Sequence, residues 1–176
     1  SIIMNSRYII FSFILSFISC QDKCDEYTTY TMSSPKYSKM ESLRDSVYFD
    51  IEREINSPGK LNYKDGYLFI SEVAKGVHVI DNRNVNNPIK IGFLNIPGNY
   101  DIATKDDFLY ADSYIDLVIF DISNISEIKE VNRIEGSFQN YYENRLLYSE
   151  TLGIITGYEK EIIEEFEENK DCELAF

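Results

Sequence analysis

Few side chains in this chain of 176 residues have the types and spacing that could do chemistry: three cysteines, Cys20, Cys24 and Cys172, one histidine, His78, and a few acidic residues at recurring positions. A cysteine thiol can be acylated, oxidised or bound to a metal. Cys20 and Cys24 lack the two-residue or paired spacing of zinc knuckles, and the histidine lies far from both, so no metal site is expected. His78 alternates with Val77 and Val79, which places it on the opposite face of a strand from them. A nucleophilic mechanism would need Ser or Cys beside it and an acidic orienter. No local pattern supplies either, so His78 reads as a hydrogen-bonded strand residue. With 30 Asp and Glu in the chain, carboxylate pairs are too common to identify a glycosidase. Asp81 and Asp121 each end an apolar run before a polar turn, where a carboxylate accepts bonds from turn amides, a structural role. Asp112, Ser113, Tyr114 and Asp116 form a polar, tyrosine-bearing loop, with Glu72 and Lys75 at the corresponding place about 40 residues earlier. That loop is the candidate site for a ligand or cation. No Gly-rich phosphate loop precedes a helix, and neither a catalytic residue nor a cofactor is expected.

Cys20 stands apart because of what precedes it. Reading from Met4, a short segment with Arg7 leads into an apolar run from Tyr8 to Ile18, then Ser19 and Cys20, the layout of a secretory signal. As a helix the run would rise only about 16 Å, roughly half the hydrocarbon thickness, too short for a permanent span. Phe17-Ile18-Ser19-Cys20 resembles the lipobox of bacterial lipoproteins, with Phe17 departing from the commoner Leu. The resemblance implies that residues 1–19 are removed, that the Cys20 thiol carries diacylglycerol, and that the new amino group can take a third acyl chain. Several chains anchor firmly where one is marginal, at about 0.8 kcal/mol per buried methylene. The partner so implied is a membrane, reached through N-terminal lipid; the alternative is an ordinary signal peptide in which Cys20 is incidental. Gln21 to Glu26 form an acidic cluster that resembles surface-export signals of some Gram-negative lipoproteins, which puts the expected location at the outer membrane of a bacterial envelope, at or near the cell surface. With Cys20 consumed, Cys24 and Cys172 remain, either paired or free in an oxidising compartment.

The elements behind these residues must be mostly β. Hydrophobic residues make up 44% of the chain and aromatics 14%, all Tyr and Phe, with Ile and Val frequent beside them, a bias toward strands. The length suits one ordinary domain. A net charge of −13 argues against nucleic acid, whose phosphates need clustered Lys and Arg. Much of the excess lies from Glu159 to Glu173, which reads as a solvated face or tail.

Residues 20–58 are polar and Ser/Thr/Tyr-rich and read as a tether, within which Met40 to Ile55 could form a short helix or a strand. Ser57-Pro58-Gly59 marks a boundary. Beyond it the sequence repeats. Lys60 to Ile70, a short strand, a polar turn and a second strand, recurs from Asn99 to Ala111. Gly76-Val77-His78-Val79-Ile80-Asp81 matches Asp116-Leu117-Val118-Ile119-Phe120-Asp121, and Asn87 to Phe93 matches Ser126 to Val131, at offsets of 40 to 41 residues. A period of about 40 residues holding four short strands is that of propeller blades. The paired motifs ending in Asp81 and Asp121, followed by a polar turn and then Pro88 or its counterpart Glu127, resemble the LVIVD repeat over Gly59 to about Gly136. That family consists of β-propeller proteins, commonly bacterial and exported, which implies two blades of four strands each.

A closed ring of four to eight such blades needs about 160 residues or more, and the flanks of this chain read poorly as blades. The expectation is therefore an incomplete or open propeller, either a fragment of a longer protein or an open double sheet. Residues 137–176 hold an aromatic segment and then a strand from Leu152 to Tyr158, which opens a partial third blade or forms an insertion before an acidic tail. The functional expectation is a noncatalytic, lipid-anchored module that binds an envelope protein or glycan. The alternatives are an envelope hydrolase or lyase with its site on further blades, and a purely structural surface component.

Overall fold

The computed structural model describes residues 25–168, and the side chains of 28–165. Cys20, Cys24, Cys172 and the apolar run before Cys20 lie outside the described residues. The fold is all-β, built of open antiparallel sheets with two five-residue helices. Residues 34–159 form one compact unit; residues 25–33 and 160–168 belong to a separate one, in which the Thr28 hydroxyl donates to the Glu165 carbonyl at 3.5 Å.

The expected repeat is present as two consecutive four-stranded meanders. Repeat 1 comprises β3 (Pro58–Lys64), β4 (Tyr67–Glu72), β5 (Gly76–Asp81) and β6 (Ile89–Asn95); repeat 2 comprises β7 (Ile102–Lys105), β8 (Phe108–Ser113), β9 (Asp116–Asp121) and β10 (Lys129–Ile134). Each strand pairs antiparallel with the next, and Tyr67 opposes Asp81 as Phe108 opposes Asp121. The β3–β4 connection is Asp65-Gly66 with φ of 49° and 87°, the two positive values that a tight hairpin requires.

Period-two alternation fixes the faces. Directly opposed residues share a face, so the pairs Phe69/Val79 and Val77/Leu94 gather those four side chains on one side of repeat 1. Leu109/Phe120 and Ala111/Val118 do the same on one side of repeat 2. All eight are essentially inaccessible and belong to one core between the two sheets. This is face-to-face sheet packing.

Gly76 lies against the neighbouring strand. At φ 148°, a Cβ there would sit 1.9 Å from the Leu94 carbonyl oxygen, so β5 can meet β6 this closely only without a side chain. Repeat 2 has Asp116 at the equivalent place, and its carboxylate takes up a different task, described below.

Two segments differ from the sequence expectation. Within the stretch read as a tether, β1 (Asp25–Ser38), α1 (Met40–Arg44) and β2 (Tyr48–Asp50) are ordered secondary structure, and β2 adds a fifth strand to repeat 1 beside β6. Both options for Met40 to Ile55 occur there, a helix and then a strand. In the C-terminal stretch, α2 (Gln139–Glu143) and β11 (Tyr148–Ser149) precede β12 (Gly153–Glu168), and the sheet order is β1-β12-β11. This sheet is not a third meander, because its central strand pairs with the start of the described chain. Ser38 and Thr156 hydroxyls meet at 2.9 Å across it, and Lys36 pairs with Glu159 at 3.4 Å. Glu159 to Glu168 are therefore strand residues rather than tail. Met40, Ile115 and Ile154 form a second small core, with Leu43, Tyr114, Tyr142 and Tyr148 packed around it.

Candidate functional site

Of the four residues singled out above as a loop, Asp112 and Ser113 end β8, Tyr114 lies in the two-residue turn and Asp116 begins β9, and the fold gives each of them a partner. Asp112 Oδ1 accepts the backbone N–H of Tyr100 at 2.7 Å and of Asp101 at 2.9 Å, and the Asn99 side-chain amide at 2.8 Å. Burial nonetheless raises its pKa above the ordinary value, against the lowering effect of those bonds. Ser113 donates to the Pro97 carbonyl at 2.9 Å and is 1% exposed. Tyr114 takes a φ of 53° and meets Tyr142 edge-on with ring centroids 6.3 Å apart. Its ring also lies so close to Gly98 that a Cβ there would fall 2.5 Å from it.

Asp116 is wholly inaccessible, yet three elements converge on it. Arg44 of α1 donates to it through Nε at 2.7 Å and through a terminal nitrogen at 3.2 Å, Arg133 of β10 at 3.3 Å, and the Gly136 backbone N–H at 3.0 Å. Burial alone would raise this pKa, but the bonds from Arg44 and Gly136 outweigh it and hold the carboxyl below its usual value. Glu135 adds a second anion to Arg44 at 2.9 Å and Glu130 one to Arg133 at 2.7 Å. Nothing local marks this network in the sequence, since Arg44 lies 72 residues before its partner.

Glu72 ends the second strand of repeat 1 as Asp112 nears the end of the second strand of repeat 2. Its two oxygens accept the Asn56 N–H at 3.1 Å and the Ser57 N–H at 2.8 Å, and His78 Nε2 donates to it at 3.1 Å. In both repeats, then, a carboxylate holds two successive amides of the segment that leads into the first strand. His78 is 2% exposed and packs edge-on against Phe93 at 4.8 Å. Its placement is that of a bonded strand histidine. Lys75 reaches Glu72 only at 3.6 Å.

Asp81 and Asp121 cap equivalent turns. Asp81 accepts the Arg83 N–H at 3.0 Å and Asp121 the Ser123 N–H at 2.9 Å; three residues on, Asn84 and Asn124 repeat the device with Asn86 and Ser126, each at 3.2 Å. The Arg83 guanidinium, also bonded to Asp81, draws that carboxyl down to about 2. The pair is exposed and screened by salt. Asp81→Ala should therefore shift the thermal midpoint by a few degrees at most, and the shift should shrink further in about 1 M salt; a large, salt-independent loss would contradict this.

Two shallow grooves flank the repeats. One of about 270 Å³ lies between their turns and is lined by Lys64, Asp65, Tyr67, Asp107 and Asn124. The other, about 210 Å³, is bordered by Lys60, Asp101, Tyr110, Asp112, Leu117 and Phe138. Among the described residues no group of three or more His, Cys, Asp and Glu is placed to hold a metal ion, and no helix is long and apolar enough to cross a membrane. Comparison with protein-family models, with curated proteins and with solved structures returned no match.

Proposed function

We propose that this chain is a noncatalytic, lipid-anchored module of the bacterial cell envelope, built of propeller-type blades, that binds a protein or glycan at the end where the β8–β9 loop opens. The observation that carries the noncatalytic reading is the occupancy of its chemistry-bearing side chains. His78, Glu72, Ser113 and Asp116 are each buried and bonded within the fold, which leaves them as framework. The propeller-type reading is supported by the stacking of repeat 1 on repeat 2 through one face each. Binding is assigned to the 210 Å³ groove because Asp112 and Tyr110 border it together. An aromatic ring beside a carboxylate suits both sugar and peptide contacts.

The anchor rests on the lipobox-like sequence alone. Cells fed an alkyne fatty acid should label the wild-type chain, and Cys20→Ala should abolish that label and release the protein from membranes. Continued labelling of Cys20→Ala would sink the assignment. For binding, Asp112→Asn keeps the side chain's shape while removing its charge. It should retain less envelope material than wild type in a pull-down, and equal retention would count against this loop.

A further inference from the structure

Four tyrosines gather where the β8–β9 turn meets α2. Tyr142 of α2 stands at the centre, edge-on to Tyr141 with ring centroids 5.4 Å apart and to Tyr114 of the turn at 6.3 Å. Tyr100 comes from the segment that enters repeat 2, where Asp112 Oδ1 holds its backbone N–H at 2.7 Å. Burial raises the phenols of Tyr114 and Tyr142 above the ordinary tyrosine value, and Tyr100 adds to both shifts. Both therefore remain neutral hydroxyls at physiological pH.

The other two rings are open to solvent, Tyr100 at 55% and Tyr141 at 53% exposed. The Arg145 guanidinium lies over the Tyr141 ring, 3.8 Å from its centroid, and bonds the Tyr141 carbonyl at 3.4 Å, which steadies the ring from one side. Asp112 belongs to the same cluster, as its effect on Tyr142 shows. Its bonds are one-sided. The Tyr100 and Asp101 amides and the Asn99 side chain all reach Oδ1, and Oδ2 accepts no bond among the described residues. The carboxylate is thus held rigid with an acceptor to spare. Beside it, Asn99 Oδ1 is wholly buried and has no donor, a second acceptor short of a partner.

Exposed ring faces beside a fixed acceptor are the complement of a sugar. A pyranose carries C–H bonds on one face, which lie against the negative face of an aromatic ring, and hydroxyls on its edge, which donate to a carboxylate. Rigid tyrosines supply contact area at little cost in conformational entropy. Charge narrows the class further. The chain carries −13 overall, with Asp101 and Asp112 at the cluster itself, so an acidic polysaccharide is repelled.

We propose that the tyrosine cluster binds a neutral polysaccharide of the cell envelope, with sugar rings stacked on Tyr100 and Tyr141 and a sugar hydroxyl donating to Asp112 Oδ2. This rests on the assignment of binding to the β8–β9 end. It adds the class of ligand and the rings that receive it, and of these residues only Asp112 borders the 210 Å³ groove.

The test immobilises the full chain in mild detergent and offers it envelope fractions of the cells that make it. One portion is digested with a broad protease, which spares polysaccharide; another is treated with periodate, which cleaves the vicinal diols of sugars, and then quenched. Retained sugar is measured after acid hydrolysis. The expected retention survives protease, is lost after periodate, and changes little between low and high salt, as a neutral ligand requires. Tyr100→Ala and Tyr141→Ala should each weaken it about tenfold. Tyr141→Phe should keep it because the ring remains, and Tyr63→Ala, exposed on β3, should leave it unchanged. Both cluster rings are exposed, so folding is not threatened, which circular dichroism verifies. Retention that protease removes and periodate spares would overturn the ligand class alone, and so would sugar retention that salt abolishes. Retained sugar indifferent to both alanine variants would overturn the site. Retention of neither sugar nor protein from any portion would overturn the binding assignment along with it.

Discussion

Asp116→Ala is expected to cost about 3–5 kcal/mol of stability, the loss typical of removing one partner from a buried ion pair. The reason is what the substitution leaves behind. Two guanidiniums, those of Arg44 and Arg133, and the Gly136 N–H lose a common acceptor that is itself wholly inaccessible, and the arginines, 23% and 11% exposed, keep only Glu135 and Glu130 as anionic partners. The same carboxylate ties α1 and the turn after β10 to the β8–β9 loop, so the second small core around Met40, Ile115 and Ile154 should loosen with it. Against a total stability of about 5–15 kcal/mol, the thermal midpoint should fall by roughly 10 °C or more. A loss within about 1 kcal/mol of wild type would show that the network contributes geometry but little energy. The pH dependence has a defined sign. Because Asp116 is held below its ordinary pKa in the folded state, its contribution is present above the unfolded value, about pH 4, and is lost as pH falls through the folded one. Asp116→Asn should flatten the acid limb of the stability profile. Asp112 works in the opposite sense, since its raised pKa makes ionisation costly to the folded state as pH rises through its window.

The repeats could be read from sequence because their marks are local. Alternating apolar residues set the strand faces, Asp65-Gly66 set a hairpin, and Asp81 and Asp121 set turns that close within two residues. The structure reproduces these at the same offset because each depends only on near neighbours in the chain. What the sequence concealed depends on distance. β1 lacks an alternating pattern because residues 28–37 are exposed on both faces, and its partner β12 lies far along the chain, with Ser38 and Thr156 separated by 118 positions. The Thr- and Tyr-rich stretch Thr28-Thr29-Tyr30-Thr31 did carry high strand propensity, and that was the available signal against a tether.

The loop from Asp112 to Asp116 shows the same limit from the functional side. Its polar composition suits either a binding site or a joint between elements, and only the three-dimensional partners distinguish them. Ser113 and Asp116 turn inward to Pro97 and the two arginines, while Asp112 keeps one side toward a groove. Glu72 was visible as the counterpart of that loop, but its partners Asn56 and Ser57 lie on the chain that enters repeat 1, outside the motif that drew attention to it.

Glu72 provides the second large effect. It is nearly inaccessible and is the sole side-chain acceptor given to three donors, the Asn56 and Ser57 amides and His78 Nε2. Burial by itself would raise its pKa; the two amides and His78 more than compensate and lower it. Glu72→Ala strips the acceptor from His78, which is buried and cannot recover water, and from the amides of the exposed residues Asn56 and Ser57, at about 1–3 kcal/mol in all. The first strand of repeat 1 should then detach at its start, so amide exchange at Asn56 and Ser57 should accelerate before the rest of the sheet opens. Glu72→Gln offers one oxygen but presents an amide where a second acceptor stood, so it should recover only part of the loss. The two variants also separate charge from shape through pH. Wild-type stability should fall as pH drops through the depressed folded pKa of Glu72, and this component should vanish in both substitutions. If urea midpoints of Glu72→Gln kept the full acid slope of wild type, the carboxylate's charge would not be what holds the entry of repeat 1. The slope would then belong to Asp116, and the double substitution Glu72→Gln with Asp116→Asn would remove it.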